Sequence, residues 1–274
     1  MVEKVFKIWK LTDLKDVGEV FIDTLFPENY DEVLELLKNN VKIYLLKNLS
    51  IIKKLRLENN VKKNDENDAL MLSKIPRDNY RLLTIDEVEL KITMRPLINR
   101  YEMLTKWRKI LKQWLDDCDI PEVAEALREN IKLLEKMSKE ASREIIDKVS
   151  GNRLYREACR LLGLRDSVEV AILTMELPLH YPSKTLKKIV GLTPNKNNGR
   201  YNHCLREHLS RLATNIYINI KRWKDRWMVP EEFSKIVEEL PPRKAVYKLQ
   251  SRILKTFRKA YFTVIEADDT PAGR

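Results

Sequence analysis

Glycine is scarce in this chain, with 6 in 274 residues. A sandwich, a barrel or an array of tight turns needs many more, so the shortage favours helices. Cysteine is rarer still. Cys118, Cys159 and Cys204 are far apart and odd in number, which argues against a disulfide framework and a zinc site and fits a reducing compartment. Each reads as a core or half-buried thiol. Of the three histidines, His203 and His208 stand five apart, a poor spacing for two metal ligands on one helix. No segment approaches the ~20 apolar residues of a membrane span. Met1 to Lys10 alternates lysines with apolar residues and has no signal-like core. These shortages together lead to the expectation of a cytoplasmic protein with no membrane partner.

Charge is what the sequence has in abundance. The hydrophobic fraction, 43%, supports a sizeable core, while 34% of residues are charged. The formal net charge is +11, and its distribution is lopsided. Up to Ser150, 28 basic residues face 28 acidic ones; from Gly151 onward the numbers are 24 and 13. A basic surplus confined to one half reads as a polyanion-binding surface. The plainer alternative is a charge-rich surface with an accidental imbalance.

Hydrophobic periodicity divides the chain into parts. Val5 to Leu11 and Val20 to Ile22 alternate as strands, Tyr30 to Asn39 has helical spacing, and Val41 to Leu46 is a further strand. Strand, helix and strand at this spacing form an α/β unit with a parallel pair. A basic helix over Leu49 to Leu57 and a short helix from Asp68 to Lys74 follow. Asp86 to Leu115 is a long helical pattern, and Pro121 opens the next helix as a first-turn proline. There Leu127, Ile131, Leu134, Ser138, Ala141 and Ile145 step by four and three, a heptad-like seam. Two long helices joined by a short turn make a hairpin, read as a spacer, a dimerisation arm or a pair within one globule.

The C-terminal half is helical throughout. An Arg-rich helix over Gly151 to Leu162, a turn at Leu162-Gly163-Leu164-Arg165 and a helix from Ser167 resemble a helix-hairpin-helix, whose turn amides can hold a phosphate. Helices follow at Ser183 to Val190, Tyr201 to Trp227 and Pro241 to Ile265. The fold class expected is α/β plus all-α, in three parts: 1–85, 86–150 and 151–274.

Candidate chemistry is sparse. Asp65 and Asp68, three apart, share a face at a helix start and could hold Mg²⁺ through oxygen; the alternative is an N-cap at Asn64 or Asp65. Asp23 follows a strand, where sheet edges present acids, or is a turn residue ahead of Pro27. Lys196, Asn198 and Arg200, in the loop Thr193 to Arg200, make a phosphate cradle or a solvated loop. Arg165, Lys187, Lys188 and Arg206 add basic groups nearby. Lys221 and Arg222 flank Trp223 and Trp227, a pair that stacks on bases or packs into a core. In the last helix Val246, Leu249, Ile253 and Phe257 form an apolar side, with Lys248, Arg252 and Lys255 placed to lie along phosphates.

Asn64-Asp65-Glu66-Asn67-Asp68-Ala69 resembles the D-x-x-D-A motif of the bridge-RNA-guided DEDD transposase family. Leu186 to Arg200 (LKKIVGLTPNKNNGR) is similar to its G-L-x-P segment, and Lys244 to Ile253 (KAVYKLQSRI) to its closing basic helix. The resemblance covers nearly the whole chain. It implies a RuvC-like N-terminal domain, a coiled coil, a helical transposase domain with a serine nucleophile, Mg²⁺, DNA, a structured RNA and homo-oligomerisation through the hairpin. Asp65 and Asp68 match the last two acids of the DEDD set, and Asp23 stands where the family has a glutamate. The first acid has no match, because too little sequence precedes Asp23. The place of the serine is taken by Asn198, whose amide is no nucleophile. The expectation is therefore a shortened, catalytically degenerate DNA-binding relative. The alternatives are an active recombinase using Thr193 or Ser210, and a protein-interaction scaffold built on the hairpin.

Overall fold

The computed structural model describes residues 10–193, 201–223 and 229–269, with the side chains of 223, 268 and 269 excepted. Most of the segment expected as the first strand lies outside these residues, and Leu11 opens a 3-10 turn, Leu11–Leu14. The sheet is three-stranded, in the order β1 (Glu19–Ile22), β2 (Lys42–Leu46), β3 (Tyr80–Leu82). β1 and β2 are parallel, with Val20 opposite Ile43, and are joined by the helix α1 (Tyr30–Lys38). β3 is antiparallel to β2, with Leu45 opposite Arg81.

β2 is the central strand and is apolar on both faces, as such strands are. Ile43 and Leu45 pack with α1 residues Val33, Leu36 and Leu37 and with Val88. Tyr44 and Leu46 pack on the other side with Ile52, Met71 and Ile75, from and just after α2 (Ser50–Glu58) and α3 (Asp65–Ser73). The sheet is thus a thin layer covered by helices on two sides, which is how a small parallel pair finds enough burial.

The hairpin is α4 (Ile85–Asp116) and α5 (Pro121–Val149), with Pro121 at the start of the second helix as expected. Thr84 caps α4 by accepting from the Glu87 amide at 3.2 Å. Of the heptad-like seam, Ile131, Ser138, Ala141 and Ile145 are buried. The base of the hairpin is not a detached spacer: Met94, Ile98, Ile145 and Val149 belong to the core of the C-terminal part.

That part contains α6 (Arg153–Leu162), α7 (Val168–Glu176), α8 (Ser183–Ile189), α9 (His203–Trp223), α10 (Glu231–Glu239) and α11 (Pro242–Asp269). Leu249, Ile253 and Phe257 of α11 are buried as their spacing requires, whereas Val246 is only partly so. α10 and β3 were not foreseen, and α3 begins three residues earlier than its apolar pattern suggests. The cause in α3 is the cap. Asn64 accepts from the Asn67 amide at 2.7 Å, so Asp65, Glu66 and Asp68 lie in the first turn, where the helix dipole favours acids.

Candidate nucleic-acid interface and carboxylate site

Asp23 follows β1 at the carboxyl end of the parallel pair, where open sheets place their sites. Burial raises its carboxyl above the usual range, and the charges of Asp68 and Asp65 raise it further. The three acids therefore stand within electrostatic reach of one another. Burial, together with the same Asp23 charge, pushes Tyr80 up to about 12.

Electrostatic reach is not coordination. Asp68 is held by Arg56 of α2, whose Nη1 donates to Oδ1 at 2.8 Å and to Oδ2 at 3.0 Å. Asp65 is exposed. Among the described residues no three of His, Cys, Asp and Glu form a metal-holding group. An Mg²⁺ ion at Asp65 and Asp68 would have to displace Arg56, so these residues as arranged do not fit the ion. Arg56 is not singled out by pattern, because a basic residue in a short basic helix reads as surface.

The mouth beside Asp23 is covered by the segment between α7 and α8. His180 hydrogen-bonds the Asp23 backbone carbonyl. The Leu49 amide donates to the His180 carbonyl at 3.1 Å, the Tyr181 and Thr24 hydroxyls meet at 3.1 Å, and Arg258 Nε donates to the Tyr181 carbonyl at 3.0 Å. Burial lowers the His180 imidazole to about 3, with Arg81 and Lys91 adding to the effect. It is neutral where the unfolded chain, near its ordinary 6.5, would bind a proton. This group's contribution to stability is present above pH 6.5 and is lost as pH falls from there toward 3. A wild-type chain is expected to lose stability between pH 6.5 and 4.5, and a His180→Phe variant to lose less over the same interval in urea titrations.

The basic residues foreseen in the C-terminal half divide into distinct groups. Arg165, Lys188, Lys221, Arg222, Lys248 and Lys255 are exposed and Lys187 is half-buried. Arg206 is half-buried, with Nη1 enclosed and without a partner. Arg252 pairs with Glu232 of α10, as Arg160 of α6 pairs with Glu157. Lys196, Asn198 and Arg200 lie outside the described residues, as does Trp227. Thr193 ends the stretch before them, and Ser210 accepts from Gln250 Nε2 at 3.0 Å, remote from Asp23 in the chain and engaged elsewhere.

Two amides of the turn at Gly163 are engaged within the protein. Gly163, at φ 68°, ends α6, and its amide donates to the Arg160 carbonyl while Leu164 donates to that of Cys159. These bonds close the helix terminus. Gly191 does the same for α8, with the Leu192 amide bonded to the Lys187 carbonyl at 2.7 Å. A Cβ on Gly191 would stand 2.8 Å from Tyr201 Cγ.

α6 itself forms a basic surface. Arg153, Arg156 and Arg160 recur on one exposed face and line a groove against Thr263, Val264 and Ala267 of α11. Glu157 lies close enough to Lys259 for its acidity to feel that charge. Glu157 is also bonded to Arg160 at 2.7 Å, so the groove is mixed in sign yet predominantly cationic.

A further cluster forms around His208, whose spacing from His203 suits no shared metal. His208 is buried on α9 and bonds Glu169 of α7 through Nδ1 and Glu102 of α4 through Nε2, the latter at 3.0 Å. Burial alone would lower this imidazole, but the two carboxylates outweigh it and raise it to about 9. Arg211 stands 3.7 Å from Glu169. The cluster ties the hairpin to the C-terminal helices. Cys204, one turn away, is exposed, contrary to the expected core or half-buried thiol.

The chain matches no protein-family model and no curated protein.

Proposed function

We propose that the protein is a transposase-like DNA-binding protein related to insertion-sequence recombinases, degenerate in catalysis, that binds nucleic-acid phosphates through its C-terminal helices. The observation carrying this reading is the cationic surface of α6 and α11. Arg156 and Arg160 project from one helix and Lys248, Lys255 and Lys259 from the other, all exposed, in the half that holds the whole net charge. Such a surface neutralises phosphates and releases their counterions, so affinity falls steeply with salt. DNA is the proposed ligand, with structured RNA as the competing outcome of the same assay. Electrophoretic mobility shifts with a DNA duplex and a folded RNA, at several salt concentrations, test it; no shift of either would refute it.

The degenerate reading is supported by Arg56. A guanidinium on Asp68 neutralises one of the acids a metal would need. Supercoiled DNA with Mg²⁺ is expected to give no strand-transfer product. A product that disappears in Asp65→Ala would overturn the degenerate assignment in favour of an active recombinase. The burial of Asp23 also has a stability signature. Replacing Asp23 by Asn removes a charge that burial and two neighbouring carboxylates disfavour. The variant is expected to melt higher than wild type by about 1–4 °C, a rise that calorimetry at pH 7 detects; a fall would show that Asp23 is ionised and usefully partnered.

We further propose a homo-oligomer formed through the hairpin. Met103, Trp107 and Trp114 are exposed along α4 and Leu133 and Met137 along α5. Large apolar groups concentrated on one arm are characteristic of an association surface. Sedimentation should give a dimer that Trp107→Glu with Trp114→Glu converts to monomer without unfolding; a monomeric wild type at ~50 μM contradicts it.

A further inference from the structure

An apolar seam runs along the outer face of α4. Met103, Trp107, Ile110 and Trp114 step by four, three and four, which places them within about 60° of one another around the helix. That is coiled-coil spacing. Leu104, beside the seam, turns inward and is buried, whereas Met103, Trp107 and Trp114 are 51%, 49% and 57% exposed. Past Trp114 the chain enters the tip of the hairpin, where Ile120 is exposed too.

The seam borders a groove of about 480 Å³ between α4 and α9. α4 lines it with Met103, Lys106, Trp107 and Ile110, and α9 with Cys204 and Arg211. Its carboxylates, Glu102 and Glu207, are engaged within the chain, the first by His208 and the second by Lys109 and Arg211.

Charge along the hairpin is segregated. From Lys106 to Lys112, α4 has four basic residues and no acid; from Asp116 to Glu125, the tip has five acids and no base. Lys109 holds Glu207 and Lys112 holds Glu135, while Lys106 is exposed and Arg108 half-buried, on either side of Trp107. A second α4 laid antiparallel and centred on Lys112 brings Ile110 opposite Trp114. It also sets Lys106 and Arg108 at the levels of Cys118 and Asp116. A parallel copy, or an antiparallel one centred between Arg108 and Lys109, juxtaposes like charges, which costs affinity.

We propose that two copies of this chain associate antiparallel, each acidic tip seated on the basic seam and α4–α9 groove of the other. This rests on the reading of the hairpin as an association surface and adds its register. The interface is isologous, so each contact occurs twice. Because α9 forms the far wall of the groove, each tip rests on the C-terminal part of its partner.

The native cysteines test the register. Cys118 lies in the tip and Cys204 in the groove, while Cys159 is buried. Within one chain Cys204 neighbours Glu102, about 20 Å along α4 from the tip. A short bismaleimide therefore joins Cys118 to Cys204 only between two copies. Treatment of the full-length protein is expected to give a covalent dimer containing the Cys118–Cys204 cross-linked peptide, and to give none in Cys118→Ser or in Cys204→Ser. Lys106→Glu with Arg108→Glu should weaken the dimer at least about tenfold in sedimentation. Adding Asp116→Lys and Asp119→Lys restores opposite charges across the interface and should recover most of that loss. A wild-type dimer that Trp107→Glu with Trp114→Glu dissolves, but that gives no Cys118–Cys204 peptide or keeps its affinity in Lys106→Glu with Arg108→Glu, would overturn the register and leave the hairpin reading standing. A wild type that is monomeric at ~50 μM overturns both.

Discussion

His208→Leu is expected to lower stability by about 3–5 kcal/mol, since it leaves buried Glu169 without its main cationic partner. In a chain of this size that corresponds to a fall in melting temperature of about 6–15 °C. Arg211 remains near Glu169 and limits the loss. Adding Glu169→Leu removes the stranded carboxylate, so the double variant should recover at least half of the deficit. A double variant no better than the single one would show that packing, not charge, causes the loss. The imidazole supplies a second signature. Its folded pKa, about 9, lies above the ordinary 6.5 of the unfolded chain. The stabilisation is therefore complete below pH 6.5 and is lost as pH rises through 9. Urea titrations should show wild type weakening between pH 6.5 and 9.5, with His208→Leu nearly flat over that range. His180 does not interfere, since it is neutral in both states above 6.5.

The second large effect concerns ligand. Arg156→Glu, Lys255→Glu and Lys259→Glu together reverse three charges on the exposed faces of α6 and α11. Each phosphate contact contributes a slope of about 0.9 to the dependence of log affinity on log salt. Losing about three should flatten that slope by close to 3 and weaken binding at least about 100-fold near 100 mM salt. The three positions are exposed and outside the core, so the melting temperature should stay within about 2 °C of wild type. Equal binding by the variant would place the interface elsewhere.

The sequence made some of this visible and concealed the rest for physical reasons. β1, α1 and β2 were legible because a central strand such as Lys42–Leu46 is nearly all apolar and α1 repeats its leucines at helical spacing. β3 was not, since it has three residues and carries Arg81 at its centre, a charge that makes sense only beside Glu87. The hairpin could be read from its heptad steps and Pro121, but not the sharing of its root with the C-terminal core, which depends on Met94, Ile98 and Val149 meeting α7 and α9 residues far along the chain. α10, with four glutamates in nine residues after Pro230, gave too weak an apolar pattern.

The sites divide similarly. Asp23, Asp65 and Asp68 were picked out in advance, and they do influence one another. The partner that changes their meaning, Arg56, lay hidden in a helix that reads as solvated. The basic C-terminal half was plain from composition, while the partial burial of Arg206 and the pairing of Arg252 with Glu232 were not, because both are set by packing between helices. The His208 cluster did leave one trace. Glu169 is the lone charge inside the apolar run Val168 to Met175, and a carboxylate in such a run requires a partner.

The central claim, that the protein binds nucleic-acid phosphates through α6 and α11, is tested most directly by fluorescence anisotropy. The full-length chain is titrated against a labelled 30-base-pair duplex from ~50 to ~300 mM NaCl. The account predicts saturable binding whose log–log salt slope is about −4 or steeper, matching about five neutralised phosphates. No binding at ~50 mM salt, or an affinity indifferent to salt across the series, would contradict it.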